Sequence, residues 1–326
     1  MKSILATAKK FTRAARKPQE ETFDFEREVL QVWRDFPQVK DKVFFLDASN
    51  DARLVYPEES AGRAAAEALL HERDAVQRMK NTFASWGMKN SYCQPIGEGR
   101  RLLYVLREKH PFDKISPRAP QAQETAFVFD HELGHAIIPH GIGISANLSE
   151  CVADAYATIR HFQRYGADSP HIAHIVNNRA FDFIFRDRDY GFSHFTSSVT
   201  EKILSRRHEI DWKALTPQET LELAEKFALG HAMKIIPLSA LQSDFYAVRM
   251  SGQPVAQGNK PPLKKLAEKV LSTDSADVFK YGSAALALYV DKETADKVLK
   301  GKYWDDVRRK LAIKRKSFTQ PPSPKF

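Results

Sequence analysis

The chain has few of the features that stabilise a small secreted fold or anchor a protein in a membrane. Only two of its 326 residues are cysteine, Cys93 and Cys151, so a disulfide framework is excluded and a reducing compartment fits best. No apolar run approaches the roughly 18 residues that a membrane-spanning helix needs. The apolar stretch at residues 4–8 is also too short for the hydrophobic part of a secretory signal. We therefore expect a cytoplasmic protein without a membrane span.

Charge is distributed unevenly along the chain. The formal net charge is +9, and the excess of basic residues lies mainly at the two ends. No acidic residue precedes Glu20, and residues 1–21 are interpreted as a basic tail or a targeting segment. Targeting to an organelle or export through this segment is the alternative to the cytoplasm. Between the ends, acidic and basic residues are interleaved as on a solvated surface, so no nucleic-acid partner is expected.

The first part of the chain is predicted to combine helices with a small sheet. Apolar residues recur there at helical spacing in some segments and cluster in short β-prone runs in others. The expected elements are helices at 23–36 and 57–83, a strand from Lys42, and a hairpin of strands at 91–94 and from Arg100.

From about Gln121 onward nearly every segment has helical periodicity. Thr216 and Glu219 form a capping box around Pro217, which predicts the start of one of these helices. The Gly- and Pro-containing stretch 251–262 is predicted to be a linker. The expected organisation is therefore a tail at 1–21, a domain at 22–250, the linker, a helical region at 263–316 and a disordered, proline-rich tail at 317–326.

One short motif indicates a metal site. The segment from Glu124 to His140 contains HELGH, and residues four apart share a face of a helix, so His131 and His135 can both reach one ion. Glu132 would lie beside that ion, where its carboxylate could act as a general base toward water. The alternative is a chance pair of histidines on an ordinary helix. The apolar residues around the motif, which would bury the helix, favour the metal site.

A catalytic zinc site has three protein ligands as a rule, so a third is needed. Ile138 and Gly141 occupy the positions where a metzincin would have glycine and a further ligand, which excludes that class. The next predicted helix offers Glu150 and Asp154, one turn apart. Glu150 has an alternative interpretation, because an Asn at 147 with a Glu three residues later is also a helix-capping pattern. His140 and His161 are reserve ligands.

The HELGH helix followed by E-x-x-A-D on a second helix resembles the gluzincin zinc peptidases. Around the motif, from about Glu124 to Tyr165, the sequence is similar to the ImmA/IrrE-like peptidases, which also tend to carry a histidine at the position of His140. The resemblance implies one zinc ion per chain, held by His131, His135 and Glu150. It also implies that Asp154 accepts the ring N–H of His131 and fixes its tautomer.

Peptide hydrolysis also needs a donor that stabilises the oxyanion, and the segment 185–198 offers Tyr190 and His194 around Gly191. His231 is a further candidate. Cys151 follows Glu150 but points about 100° away on a helix, so a buried structural role is expected. A strand at 102–106 is considered as an edge that could align an extended peptide.

The sequence thus predicts an α+β, predominantly α-helical protein. It would consist of a zincin-like metallopeptidase domain, with a small sheet before the HELGH helix, and a helical C-terminal region. The predicted function is zinc-dependent hydrolysis of peptide bonds in a peptide or protein substrate, with Glu132 as general base. The alternative is a regulatory or binding protein that keeps the metal site without catalysis. The sequence does not predict an oligomeric state.

Overall fold

The computed structural model describes residues 23–47, 53–55, 91–97, 99–105, 121–138, 145–185, 188–250, 261–290 and 302–319. Helices dominate this part of the chain, and one small sheet precedes the HELGH segment. The predicted α+β, predominantly helical class is therefore confirmed. The helix predicted at 57–83 and the basic segment 1–21 lie outside the described residues.

The sheet has four described strands in the order β2-β1-β4-β3. The strands are β1 (Val43–Asp47), β2 (Arg53–Val55), β3 (Tyr92–Gly97) and β4 (Arg100–Val105). β1 pairs antiparallel with β2 and parallel with β4, and β3 and β4 form an antiparallel hairpin. The hairpin and the strand after Lys42 are as predicted, whereas the short β2 was not foreseen. The expectation of an edge strand at 102–106 is wrong, because β4 is hydrogen-bonded on both sides.

The helices of the described residues account for most of the remaining chain. They are α1 (Phe25–Asp35), α2 (Gln121–Ile137), α3 (Ala146–Tyr165), α4 (His171–Phe185), α5 (Arg188–Ser193), α6 (Ser197–Ser205), α7 (Pro217–His231), α8 (Ile235–Met250), α9 (Pro262–Ser272), α10 (Ala276–Val290) and α11 (Lys302–Thr319). None of these described helices is both long enough and apolar enough to cross a membrane.

Local capping explains where several helices begin. Asp24 precedes α1, and its carboxylate accepts a hydrogen bond from the backbone N–H of Arg27 at 3.1 Å. The predicted capping box of α7 is confirmed: the N–H of Thr216 donates to the carboxylate of Glu219, and the N–H of Glu219 donates to the Thr216 hydroxyl. The carboxylate of Glu219 also accepts from the Thr216 hydroxyl, and the two bonds that it accepts from Thr216 lower its pKa.

Two compact units divide the chain, with a boundary inside α3. Unit 1 comprises Met1–Pro139, Tyr156–His171 and Asp211–Leu221, and unit 2 comprises His140–Ala155, Ile172–Ile210 and Glu222–Phe326. The predicted linker falls mainly on residues 251–260, which lie outside the described residues. The predicted domain boundaries therefore stay predictions.

Aromatic side chains form the core of unit 1 beside the sheet. The ring of Phe129 on α2 stacks on Phe45 of β1, with ring centroids 5.9 Å apart, and meets the edge of Phe25 at 5.7 Å. Trp33 of α1 contacts Phe45 from another direction. β1 is buried along almost its whole length, which explains its continuous apolar sequence Val43–Leu46.

A buried ion pair ties α2 to α3 within unit 1. The Asp130 carboxylate is fully buried and accepts two hydrogen bonds from the guanidinium of Arg164, while Arg160 lies 3.8 Å away. Arg164 also donates to Glu28 of α1 at 2.6 Å. Because a buried carboxylate requires a matched charge, this bidentate pair fixes how the two helices contact each other.

Unit 2 has its own core, to which α4, α8, α9, α10 and α11 contribute buried side chains. Phe183 and Phe195 lie in contact, with ring centroids 4.4 Å apart, and Phe245 and Tyr281 pack against their edges. The helical C-terminal region predicted at 263–316 is confirmed where it is described. α11 continues to Thr319, past the predicted start of the tail at residue 317, because the ring of Phe318 stacks on Phe279.

Close packing of α9 on α10 requires glycine at position 282. A Cβ added to Gly282 would lie 2.4 Å from the Cγ2 atom of Val270, whereas one added to Gly230 in α7 meets nothing within 4 Å. We expect Gly282→Ala to lower the free energy of unfolding by about 1–3 kcal/mol through overpacking. Gly230→Ala, the matched control, should raise it by about 0.5–1 kcal/mol. Urea unfolding of both variants tests this, and equal effects would contradict the packing explanation.

Candidate metal centre

Helix α2 presents two histidines on one side. The Nε2 atoms of His131 and His135 are 3.2 Å apart, and their ring planes are almost perpendicular. His131 is buried and His135 is half-buried. The spacing of four residues in HELGH therefore has the geometric consequence expected from the sequence.

Glu150 on α3 completes a group of three possible ligands. One ligand atom each from His131, His135 and Glu150 lies within 4.8 Å of the other two, and among the described residues this is the group of His, Cys, Asp and Glu side chains that could hold a metal ion. Two nitrogens bound tetrahedrally at about 2.0–2.1 Å from zinc would be about 3.3 Å apart. The observed Nε2 separation fits that value, and imidazole with carboxylate is a common zinc donor set. The group could bind a metal ion, whose identity the geometry leaves open.

The beginning of α3 is capped by a residue other than the one considered from the sequence. The hydroxyl of Ser145 accepts from the N–H of Leu148 at 3.2 Å, just before the helix starts. Asn147 lies inside the helix, where its side-chain amide donates to three backbone carbonyls at 192, 193 and 195, at 3.2, 3.1 and 2.9 Å. The capping interpretation of Asn147 and Glu150 is therefore wrong.

The hydrogen bonds from the Asn147 side chain hold the segment that carries His194. The Nε2 atom of His194 lies 3.6 Å from Oε2 of Glu150, and its Nδ1 is 2.8 Å from the Ser193 hydroxyl. Gly191 allows α5 to approach α4, because an added Cβ would lie 2.9 Å from the carbonyl oxygen of Asp182. Of the oxyanion candidates, His194 is thus beside a proposed metal ligand.

The structure says less about the other candidate oxyanion donors, Tyr190 and His231, and about the reserve ligand His140. The side chain of Tyr190 and all of His140 lie outside the described residues. His231 is exposed at the end of α7 next to Phe227, and partial desolvation, with the charges of Lys202 and Arg206, lowers its pKa. None of the contacts described for His231 involves Glu150.

Asp154 is part of a buried polar network in unit 2. Its carboxylate is fully buried and accepts two hydrogen bonds from the guanidinium of Arg179, at 2.9 and 3.1 Å, and a third from the hydroxyl of Thr196. The predicted bond from Asp154 to His131 stays a prediction. The partners Arg179 and Thr196 were not foreseen, because they are 25 and 42 positions away in the sequence.

His161 is not a metal ligand with Glu150, although both lie on α3. They are eleven positions apart on the helix, which is about 16 Å along its axis. Its ring is buried, its Nε2 is 2.7 Å from the Ser169 hydroxyl, and it packs on the ring of His171. The reserve assignment made from the sequence is therefore wrong.

Glu132 and the two cysteines complete the surroundings. Glu132 is buried on α2. Burial, and then the negative charge of Glu132, raise the pKa of Cys93 on β3 to about 12, so this thiol stays protonated at neutral pH. Cys151 is fully buried, and its thiol contacts the Phe195 carbonyl oxygen at 3.7 Å. Its predicted structural role is confirmed.

Comparison with known proteins adds no assignment. No family model, curated protein or solved structure matches the chain. The interpretation of the metal centre therefore depends on its own geometry and chemistry.

The environment of His161 predicts sensitivity of unit 1 to acid. Burial first, and then the charges of His171 and Arg164, lower the pKa of His161 to about 3. The unfolded chain takes up a proton at His161 near pH 6.5, whereas the folded chain does not. The free energy of unfolding therefore has its full value above that pH and decreases as the pH is lowered further. Between pH 7 and pH 5 the loss is about 2 kcal/mol.

His161→Gln keeps a donor toward Ser169 but does not titrate, so its free energy of unfolding should depend less steeply on pH in this window. Urea unfolding at both pH values, in the presence of a chelator, measures the difference. Leu229→Gln, at an exposed position where neither side chain titrates, is the control and should leave the slope as in the wild type. An unchanged slope in His161→Gln would contradict the explanation.

Proposed function

We propose that the protein is a zinc-dependent peptidase of zincin-like fold, with His131, His135 and Glu150 as zinc ligands. The observation that carries the proposal is the 3.2 Å separation of the two Nε2 atoms, with a Glu150 oxygen in the same group. Two imidazoles and one carboxylate leave a position open for water or substrate, as in catalytic rather than structural zinc sites. When bound, zinc would supply Lewis-acid chemistry, polarising a carbonyl and making water more acidic.

Glu132 is the proposed general base. It follows His131 directly on α2, so its carboxylate belongs to the same helical turn as both histidine ligands. Because Glu132 is buried, bulk water has little access to its carboxylate and would compete little with the attacking water for hydrogen bonds to it. In the proposed reaction Glu132 takes a proton from the attacking water and transfers it to the leaving nitrogen of the peptide.

His194 is the proposed oxyanion donor. Its Nε2 lies near Glu150, and the contact of Nδ1 with the Ser193 hydroxyl orients the ring. A ring N–H directed at the substrate carbonyl would stabilise the charge that develops on its oxygen. Asn147 supports this arrangement, since it holds the backbone on both sides of His194.

The metal ligands can be tested without any knowledge of the substrate. After exposure to zinc and dialysis, elemental analysis should find about one zinc ion per wild-type chain. Glu150→Gln preserves the shape of the side chain but removes the negative donor, so we expect zinc affinity to fall by at least about 100-fold. Zinc affinity is measured by competition with a chromophoric chelator.

Glu209→Gln is the matched control for this experiment, because Glu209 is exposed and pairs only locally with Arg206 among the contacts described. It should bind zinc as the wild type does. Wild-type protein that holds no stoichiometric zinc would overturn the metal centre, and unchanged affinity in Glu150→Gln would remove Glu150 from the ligand set.

Catalysis is tested separately with a broad peptide library. Glu132→Gln should retain zinc and thermal stability but lower kcat by about 100- to 10,000-fold, the range expected for loss of a general base. Glu124→Gln, at the start of the same helix, should cleave as the wild type does. Product formation is followed by mass spectrometry.

Two outcomes would contradict the proposal. Cleavage that persists in zinc-loaded Glu132→Gln would show that Glu132 is not the base. Stoichiometric zinc without cleavage of any library peptide by the wild type would favour the alternative, a regulatory or binding protein with a non-catalytic metal site.

A further inference from the structure

Helix α8 in unit 2 is apolar on two opposite sides. One side packs into the core of the unit through Leu238, Leu241 and Phe245. The other side is exposed, yet it carries four large apolar side chains, which are Ile235 at 48% exposed, Ile236 at 79%, Tyr246 at 39% and Met250 at 50%. A helix that is apolar all round is usually buried all round. The exposed side therefore indicates a partner that covers it.

The exposed side chains follow one face along the whole length of α8. Exposed residues recur at 236, 239, 243, 246, 247 and 250, and this spacing of three and four keeps them on one side of the helix. The 16 residues of α8 span about 24 Å. Just before this helix, at the end of α7, Leu229 is 71% exposed. A Cβ added to the neighbouring Gly230 would meet nothing within 4 Å, so this end of α7 borders open space.

The charge of this surface has one sign. Twelve residues between 226 and 250 are exposed, and none of them is acidic. Two of the twelve are lysines, Lys226 and Lys234. The one acidic residue in this range, Asp244, is half-buried and pairs with Lys269. We call the twelve exposed residues between 226 and 250 the α8 surface. It combines large apolar side chains with basic ones.

We propose that the α8 surface binds to the surface of an anionic lipid bilayer. The apolar side chains would enter the boundary between headgroups and acyl chains, with α8 parallel to the membrane plane. Lys226 and Lys234 would lie among the lipid phosphates, and the amphipathic ring of Tyr246 suits the level of the headgroups. This binding is independent of the proposed peptidase function, because none of its residues belongs to the metal centre.

A second copy of the chain fits this surface less well than a lipid does. In a two-fold dimer the same surface would supply both sides of the contact. Lys226 and Lys234 of each copy would then face a surface that has no exposed carboxylate. An anionic bilayer instead offers phosphates to both lysines, so charge complementarity favours the lipid.

The probe is a vesicle of phosphatidylcholine with about 30% phosphatidylglycerol, mixed with the full-length protein and floated on a density gradient. We expect the wild type to float with these vesicles. Vesicles of pure phosphatidylcholine should bind it at least about tenfold more weakly, because they offer no net charge to the lysines. Added salt should weaken the binding to the anionic vesicles.

Two double variants test the apolar part of the α8 surface. Leu229→Gln combined with Ile236→Gln removes side chains that are 71% and 79% exposed, and should weaken binding at least about tenfold. Leu288→Gln combined with Ile313→Gln is the matched control, since it changes two exposed aliphatic residues on α10 and α11. The control should bind as the wild type does.

Two further double variants test the charge. Lys226→Gln combined with Lys234→Gln should weaken binding to the anionic vesicles about tenfold and leave binding to phosphatidylcholine unchanged. Lys213→Gln combined with Lys265→Gln removes the same charge at exposed positions outside the α8 surface, and should bind as the wild type does. Circular dichroism checks that every variant is folded.

Three results would overturn the proposal. They are the absence of flotation with the anionic vesicles, equal binding to both kinds of vesicle, and equal weakening in a test variant and its control. Sedimentation velocity without vesicles is measured in parallel. A dimer that dissociates in the Leu229→Gln, Ile236→Gln variant would show that the α8 surface is a contact between two copies, and the lipid proposal would be wrong.

Discussion

The buried ion pair of Asp130 and Arg164 is the constraint on which the geometry of the HELGH helix depends. Asp130 immediately precedes His131, and its carboxylate has no exposed surface. Once Asp130 is directed at Arg164, the rotation of α2 about its axis is fixed. His131 and His135 then follow at about 100° and 140° around the helix, so they point to one common side. Loss of one partner of such a buried pair costs about 3–5 kcal/mol, which makes this rotation difficult to change.

In unit 2, directional hydrogen bonds fix the relative positions of neighbouring segments, as the buried ion pair does in unit 1. Asn147 binds three carbonyls around His194, and Asp154 binds Arg179 and Thr196, so the first half of α3 and residues 192–196 are connected at several points. Apolar packing alone would allow these segments to slide, because the hydrophobic effect is not directional. A hydrogen bond to a buried group costs free energy when its donor and acceptor move out of alignment. They therefore define the position of Glu150 relative to His194 within this unit.

Within the candidate site, local geometry predicted the two histidines, whereas Glu150 was assigned as the third ligand through the resemblance to gluzincin peptidases. Residues four apart on a helix must share a face, which was sufficient for His131 and His135. Asn147, Arg164 and Arg179 were missed as positioning residues, because their partners are 25 to 48 positions away and no periodicity encodes such contacts. The same limit applies to the fold. The hairpin of β3 and β4 was predicted from its turn, whereas the parallel pairing of β4 with β1, which makes β4 a central strand, was not.

The two histidines also constrain how a metal can be held. Nitrogens 3.2 Å apart either share one proton, in an N–H···N bond, or direct both lone pairs at one cation. Metal binding requires the second arrangement, in which each neutral imidazole carries its proton on Nδ1. Each Nδ1–H then needs an acceptor, so the groups behind the rings select between the two tautomers. If the group holds a metal ion, the acceptors of the two Nδ1–H groups would therefore contribute to metal affinity together with the candidate ligands.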